Sequence, residues 1–321
     1  EARSTLADLR DGDQEPGSGT TGPRIAEARC AQVVTRRIRA FPARAPDSRS
    51  LVPIGGVPYL PGSPLRSTIP ARPRASFYRM PPMSAPALAL DTGLLGDAVA
   101  IEQGKVTVRN EAALAGPGMD ALVREAVFGE ATAREQARWL IWEIGQSVGV
   151  RAASIHDLYM ARGRGDVKGF TVPAMNIRAM SYDTMRAIFR TANRLDAGAF
   201  ILEIARSEIA YTEQRPAEYV AVVLAAALRE GFRGPVFIQG DHFQVNAKKF
   251  AVDPVTEVDA VQQLAREAIA AGFYNIDVDT STLVDLSQGP LDEQQRLNYE
   301  TCVELCRYVR GLEPKGGTIS R

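Results

Sequence analysis

Histidine, cysteine and lysine are all scarce in this chain. Its 321 residues include two histidines, three cysteines and five lysines, against 33 arginines. Three cysteines (Cys30, Cys302 and Cys306) do not make a disulfide framework, so a reduced, cytoplasmic setting is the default. The shortage of lysine beside arginine reads as a bias of coding composition and needs no functional explanation. Any excess of charge is missing too: Lys plus Arg and Asp plus Glu both number 38. A neutral chain gives no whole-molecule reason to expect nucleic acid or an anionic membrane as partner. No apolar run approaches the ~20 residues that span a bilayer. The first residues lack the basic-then-apolar order of a secretory signal.

The chain changes character near residue 83. Before that point lie 12 of the 20 prolines, 13 arginines and no lysine. Such a segment cannot bury enough apolar surface to offset its ordering entropy. Residues 1–83 therefore read as disordered, or as upstream DNA translated from an early start, with Met80 or Met83 as the true beginning. Seven acidic residues argue against a transit peptide. Residues 84–168 read as a helical leader. Met119, Leu122, Val123, Ala126 and Val127 recur at helical spacing, a second helix is expected over 132–148, and a third over 153–162.

After Lys168 strands and helices alternate. Strands are expected at 170–177, 199–205, 236–239 and 275–278, with a fifth beginning at 318–320. Helices are expected at 182–195 behind an N-cap Ser181, at 216–229 opened by Pro216, at 254–271 between Asp253 and Gly272, and at 292–310. A βαβ series at about 35-residue spacing implies a parallel sheet. No glycine-rich phosphate loop joins the first strand to its helix, which disfavours a dinucleotide-binding fold. The expectation is an α/β chain whose residues 169–321 form the first four to five units of a (β/α)8 barrel. In a barrel, chemistry sits at the C-terminal ends of the strands.

Those ends carry Asn176, Ser207, Asp241 with His242, and Asp277 with Asp279. Histidine is the commonest metal ligand, and a neighbouring carboxylate can shuttle a proton. The plainer reading of Asp241-His242 is a loop histidine bonded to its neighbour. Asp277 and Asp279 sit at i, i+2 and can share a side of their strand; the plainer alternative is that one caps the loop through Thr280 or Ser281. His156 reads as a surface or packing residue. Cys302 and Cys306, at i, i+4, read as a core-facing pair. Lys248 and Lys249 read as solvated, since a Schiff-base lysine needs a desolvated site.

Three of these strand ends resemble one family. Phe170-Thr171-Val172-Pro173-Ala174-Met175-Asn176-Ile177 is similar to the first-strand signature of class II, metal-dependent fructose-bisphosphate aldolases. Gly240-Asp241-His242 resembles their third-strand motif, and Ile276-Asp277-Val278-Asp279-Thr280-Ser281 their fourth. The likeness covers about 150 residues, and the leader over 104–164 resembles an extension in one long branch of the family. It implies a TIM barrel in which zinc, or another divalent metal, polarises a ketose carbonyl and stabilises an enediolate. His242 would be a zinc ligand, and Asp241 the acid/base for the C4 hydroxyl. Asn176 and Ser207 would line the substrate site, and Asp279 would be an outer-shell or alternate ligand. The implied reaction is retro-aldol cleavage of a ketose 1,6-bisphosphate, fructose or tagatose, in a homo-oligomer.

This sequence departs from the family in having only His156 and His242. A catalytic zinc takes about three protein ligands, and the family draws the others from later strands. The expectation is therefore a truncated, inactive aldolase. The alternatives are a non-catalytic aldolase-like subunit and a fragment without a stable fold.

Overall fold

The computed structural model describes residues 92–314 and 317–321. The reading of residues 1–83, including a start at Met80 or Met83, lies outside the described residues. Among these residues no helix is long and apolar enough to cross a membrane.

The leader is not wholly helical. After a 3-10 turn at Thr92–Ala98, strands β1 (Val99–Glu102) and β2 (Lys105–Val108) pair as an antiparallel hairpin. Its two connecting residues, Gln103 and Gly104, both take positive φ (50° and 74°), the conformation tight hairpin turns demand. Helix α1 (Pro117–Phe128) opens on a proline and buries Met119, Leu122, Val123 and Ala126. Helix α2 (Ala131–Val148) buries Trp139, Leu140, Trp142 and Ile144, and stops at Gly149 in the left-handed region.

Strand β3 (Val150–Ala153), which no expectation covered, follows and ends at Ala153, where a helix was expected to start. Its residues alternate buried and half-buried, so a period of two wins over helical propensity. Helix α3 begins only at His156 and runs His156–Gly163. Because β3 joins the main sheet, that sheet draws on residues either side of position 168.

The first strand of the alternating region is shorter than expected. Strand β4 covers Ala174–Asn176 rather than 170–177. Pro173 lacks an N–H and can offer the ladder only its carbonyl, which accepts from Ile201 N at 2.8 Å. Phe170 stays exposed under the Arg162 guanidinium. Helix α4 (Ser181–Leu195) buries Met185, Ile188, Phe189 and Ala192 as its spacing implied. Ser181 is its first residue, not its cap. The Ser181 hydroxyl donates instead to Gln214 Oε1 at 2.7 Å, and Gln214 Nε2 donates to Arg178 O at 2.9 Å.

Strand β5 (Ile201–Ala205) runs into an unforeseen short helix, α5 (Arg206–Thr212). Helix α6 (Pro216–Arg229) follows with the expected bounds and eleven buried residues. Strand β6 (Gly234–Gln244) is longer than the expected 236–239 and includes Asp241 and His242. After it comes helix α7 (Ala247–Val252), with Lys248 and Lys249 exposed. Helix α8 (Pro254–Ala271) is capped by Asp253, which accepts from Thr256 N, and ends at Gly272. Strand β7 (Asn275–Asp279) and helix α9 (Leu291–Gly311) complete the series. Of the expected fifth strand, Ser320 makes a single parallel bridge to Asn275.

The fold is mixed α/β around a five-stranded, wholly parallel sheet. Strands β4, β5, β6 and β7 are neighbours in chain order. On the side of β6 away from β5, β3 pairs with Gly234–Phe237 and β7 pairs with the later half, so β3 and β7 lie end to end. One face of the sheet, with Leu202, Ile204, Ile238 and Ile276, packs into the main core with α4, α6 and α8. On the other face Ile201 and Phe237 meet only Ile155 and a few half-buried neighbours.

Asn275 holds the joint between β3 and β7. Its Oδ1 accepts from Ile155 N at 2.8 Å, and its Nδ2 donates to Ala153 O at 3.1 Å and Ile238 O at 2.9 Å. The residue is 1% exposed, so no water replaces those bonds when the amide is removed. Asn275→Ala should therefore destabilise the fold by about 2–4 kcal/mol, read as a lower midpoint in urea unfolding; an unchanged midpoint would refute the role given to this amide.

Candidate metal and acid–base site

The candidate site lies on the sheet's less covered face, at the C-terminal ends of β5, β6 and β7. Alternation puts it there: Leu202 and Ile204 enter the main core, so Ile201, Glu203 and Ala205 point the other way. Register then aligns one layer of polar residues. Asn176 pairs with Glu203, Glu203 with Gln239, and Gln239 with Asn275. One layer further on, Ala205 pairs with Asp241.

A β-bulge sets the geometry of the centre. Gly240 pairs with Ile276 and Phe243 with Val278, so Asp241 and His242 together face Asp277 alone. His242 accordingly takes φ 43°. Gly240 is required there, because a Cβ would lie 2.5 Å from the Phe243 ring. Two successive side chains, which a regular strand would send to opposite faces, are thereby brought to one place. His242 N donates to Asp277 Oδ2 at 3.0 Å, and His242 Nδ1 lies 3.6 Å from Asp241 Oδ2. One donor atom from each of Asp241, His242 and Asp277 lies within 4.8 Å of the others.

The surrounding electrostatics are acidic. Burial, then the charges of Asp241 and Asp277, push Glu203 up to about 7; Gln239 Nε2 donates to its Oε2 at 2.9 Å. Burial also raises Asp241, with Asp277 adding to the effect, while His242 and a hydrogen bond from Asn176 oppose it. Three carboxylates gathered on a half-covered face repel one another, and a bound cation would relieve that cost.

The expected residues divide into two groups. Asn176, Asp241 and His242 come together. Asp279 does not join them, because its Oδ1 accepts from Ser281 N at 3.0 Å and Oγ at 2.6 Å, and its Oδ2 from Gln244 Nε2 at 2.5 Å. These bonds hold the Asp279 carboxyl below its ordinary range despite burial. The position beside His242 belongs to Asp277. Ser207 is exposed in the first turn of α5, two residues beyond Ala205. Near it, Glu208 accepts from Ala205 N at 2.9 Å and pairs with Arg178 at 2.5 Å. His156 lies on α3, apart from the cluster.

Glu203 was missed by sequence reasoning, although a signal was present. A lone carboxylate between Leu202 and Ile204 in an apolar strand is costly unless it has a purpose. Its raised pKa makes a test. Between the ordinary 4.5 and about 7 the folded chain holds a proton that the unfolded chain has lost. Stability should thus fall as pH rises through that window. Glu203→Gln cannot ionise and should flatten the fall. The gain above pH 8 should be on the order of 1 kcal/mol after allowance for solvent screening, measured by urea unfolding in chelator; parallel pH profiles for the two proteins would contradict it. No family model, curated protein or solved structure matches this chain, so its site is read from its own residues.

Proposed function

We propose that this chain carries metal-assisted retro-aldol chemistry on a ketose 1,6-bisphosphate, on the first units of a (β/α)8 barrel. The observation that carries the reading is the convergence of Asp241, His242 and Asp277 at the C-terminal ends of adjacent parallel strands. The strand order supports it. Units added in chain order, β4 to β7, build the wall of a barrel, whereas a doubly wound sheet reverses direction part-way. The motifs on β4, β6 and β7, similar to those of class II aldolases, fall at these strand ends.

The donor set fits a divalent cation. His242 and Asp277 offer one imidazole and one carboxylate, the nitrogen and oxygen donors that zinc accepts and two of the about three that a catalytic zinc takes, while Asp241 is kept as the base. His242 and Asp277 would hold the ion, with Asp241 within reach of it. Bound there, it would supply Lewis-acid polarisation of a carbonyl.

The chain's own groups do the rest. Asp241 accepts the proton of the C4 hydroxyl as the C3–C4 bond breaks, and the electron pair passes toward the C2 carbonyl. Burial raises its affinity for protons above that of a free aspartate, which suits a group that must accept a proton and return it. Asn176 fixes the carboxyl by its hydrogen bond. Glu203, held by Gln239, is a second proton carrier one layer below. Exposed Ser207, beside the Arg178–Glu208 pair, stands at the rim where a phosphorylated sugar would enter. In this reading the protein acts in the cytoplasm, and as a homo-oligomer.

The test is release of triose phosphate from fructose and tagatose 1,6-bisphosphate with zinc, and then with a chelator. Chelator should abolish release. Asp241→Asn should lower kcat by about 10²-fold or more with zinc still bound, while His242→Ala should lose the zinc. Chelator-resistant release would sink the metal-assisted reading. Absence of both release and bound zinc would replace it with a non-catalytic aldolase-like protein.

A further inference from the structure

Helix α9 carries two thiols that the site above does not use. Read from sequence, Cys302 and Cys306 were a core-facing pair. The helix instead buries Thr301, Leu305 and Val309, and leaves both cysteines half-exposed on its flank. Their sulfurs are 4.0 Å apart.

That separation does not favour a disulfide. The bond needs sulfurs ~2.05 Å apart and Cβ atoms ~3.5–4.5 Å apart, whereas residues at i, i+4 on a helix hold their Cβ atoms ~5–6 Å apart. Closing the bond would distort the helix. A metal bridge needs no such distortion. With metal–sulfur bonds of ~2.3 Å, two thiolates span ~3.8 Å across a tetrahedral edge and ~4.6 Å when collinear. The sulfurs, 4.0 Å apart, need to part by only ~0.6 Å to reach the collinear arrangement of a two-coordinate ion, a movement that side-chain rotation supplies.

Among the described residues, no third histidine, cysteine or carboxylate joins the pair in a metal-sized group. This excludes the four-ligand set of structural zinc and leaves two soft donors, which select soft cations of low coordination number. Burial first, then Cys302, pushes Cys306 up to about 11, so this thiol is not an activated nucleophile and a bound metal must displace its proton.

We propose that Cys302 and Cys306 form a two-thiolate site for a thiophilic monovalent cation of the cuprous type. Binding breaks two S–H bonds, forms two metal–sulfur bonds and releases two protons to solvent; no electron is transferred. The test titrates the full, reduced chain with cuprous ion under anaerobic conditions, in competition with a chromophoric cuprous chelator. One ion per chain should bind to the wild type and to Cys30→Ser. Binding should weaken at least tenfold in Cys302→Ser and in Cys306→Ser. On the wild type, the bound ion should protect both thiols from alkylation, read by mass spectrometry, which keeps the test decisive if a serine variant misfolds. Failure of the wild type to compete, unprotected thiols at saturation, or unchanged binding in either folded serine variant would overturn the site.

Discussion

A regular strand cannot present two consecutive side chains on one face, and the site at β6 depends on defeating that rule. The bulge between Gly240 and Phe243 sets two residues against one, so Asp241 and His242 converge on Asp277. It leaves no room for a Cβ at Gly240, which would strike the Phe243 ring, and it holds His242 at positive φ. Strain of this kind costs on the order of 1–3 kcal/mol and persists only where the surroundings fix it. Here the surroundings are two parallel neighbours, β5 on one side and β7 on the other, with the His242 N–H bonded to Asp277.

The sheet around the bulge is asymmetric, and its asymmetry makes the site. Leu202, Ile204, Ile238 and Ile276 lock one face to the helices. Among the described residues, the apolar cluster of the opposite face lies at its N-terminal end, where Ile155 meets Ile201 and Phe237. Above that floor the layers become polar: Asn176, Glu203 and Gln239, then Asp241 and Asp277. Partial burial there raises Glu203 and Asp241 together. The same crowding that costs stability without a cation creates the negative potential that attracts one.

Much of this was readable in the sequence, and the failures have physical reasons. Helices at Pro216–Arg229 and Pro254–Ala271 were legible to the residue, because proline fixes the first turn of each and glycines lie at or near their ends. Asp241-His242 stood out as polar residues where an apolar strand runs out. Strand β3 was missed because four residues carry too short a period to beat the helix signal around them. Ser181 had the chemistry of a cap, but a distant glutamine claimed its hydroxyl. Asp277 and Asp279 were indistinguishable by spacing alone. The bulge sets Asp277 opposite the two site residues and carries Asp279 on to pair with Gln244.

The scarcity of histidine permits a direct measurement at the centre. With only His156 and His242 in the chain, selective 15N labelling of histidine gives two sets of imidazole signals. One equivalent of zinc should shift the imidazole nitrogens of His242, assigned through His242→Ala, and leave those of His156 in place. If the His242 signals do not move, or if both histidines move together, the bulge does not build a metal site.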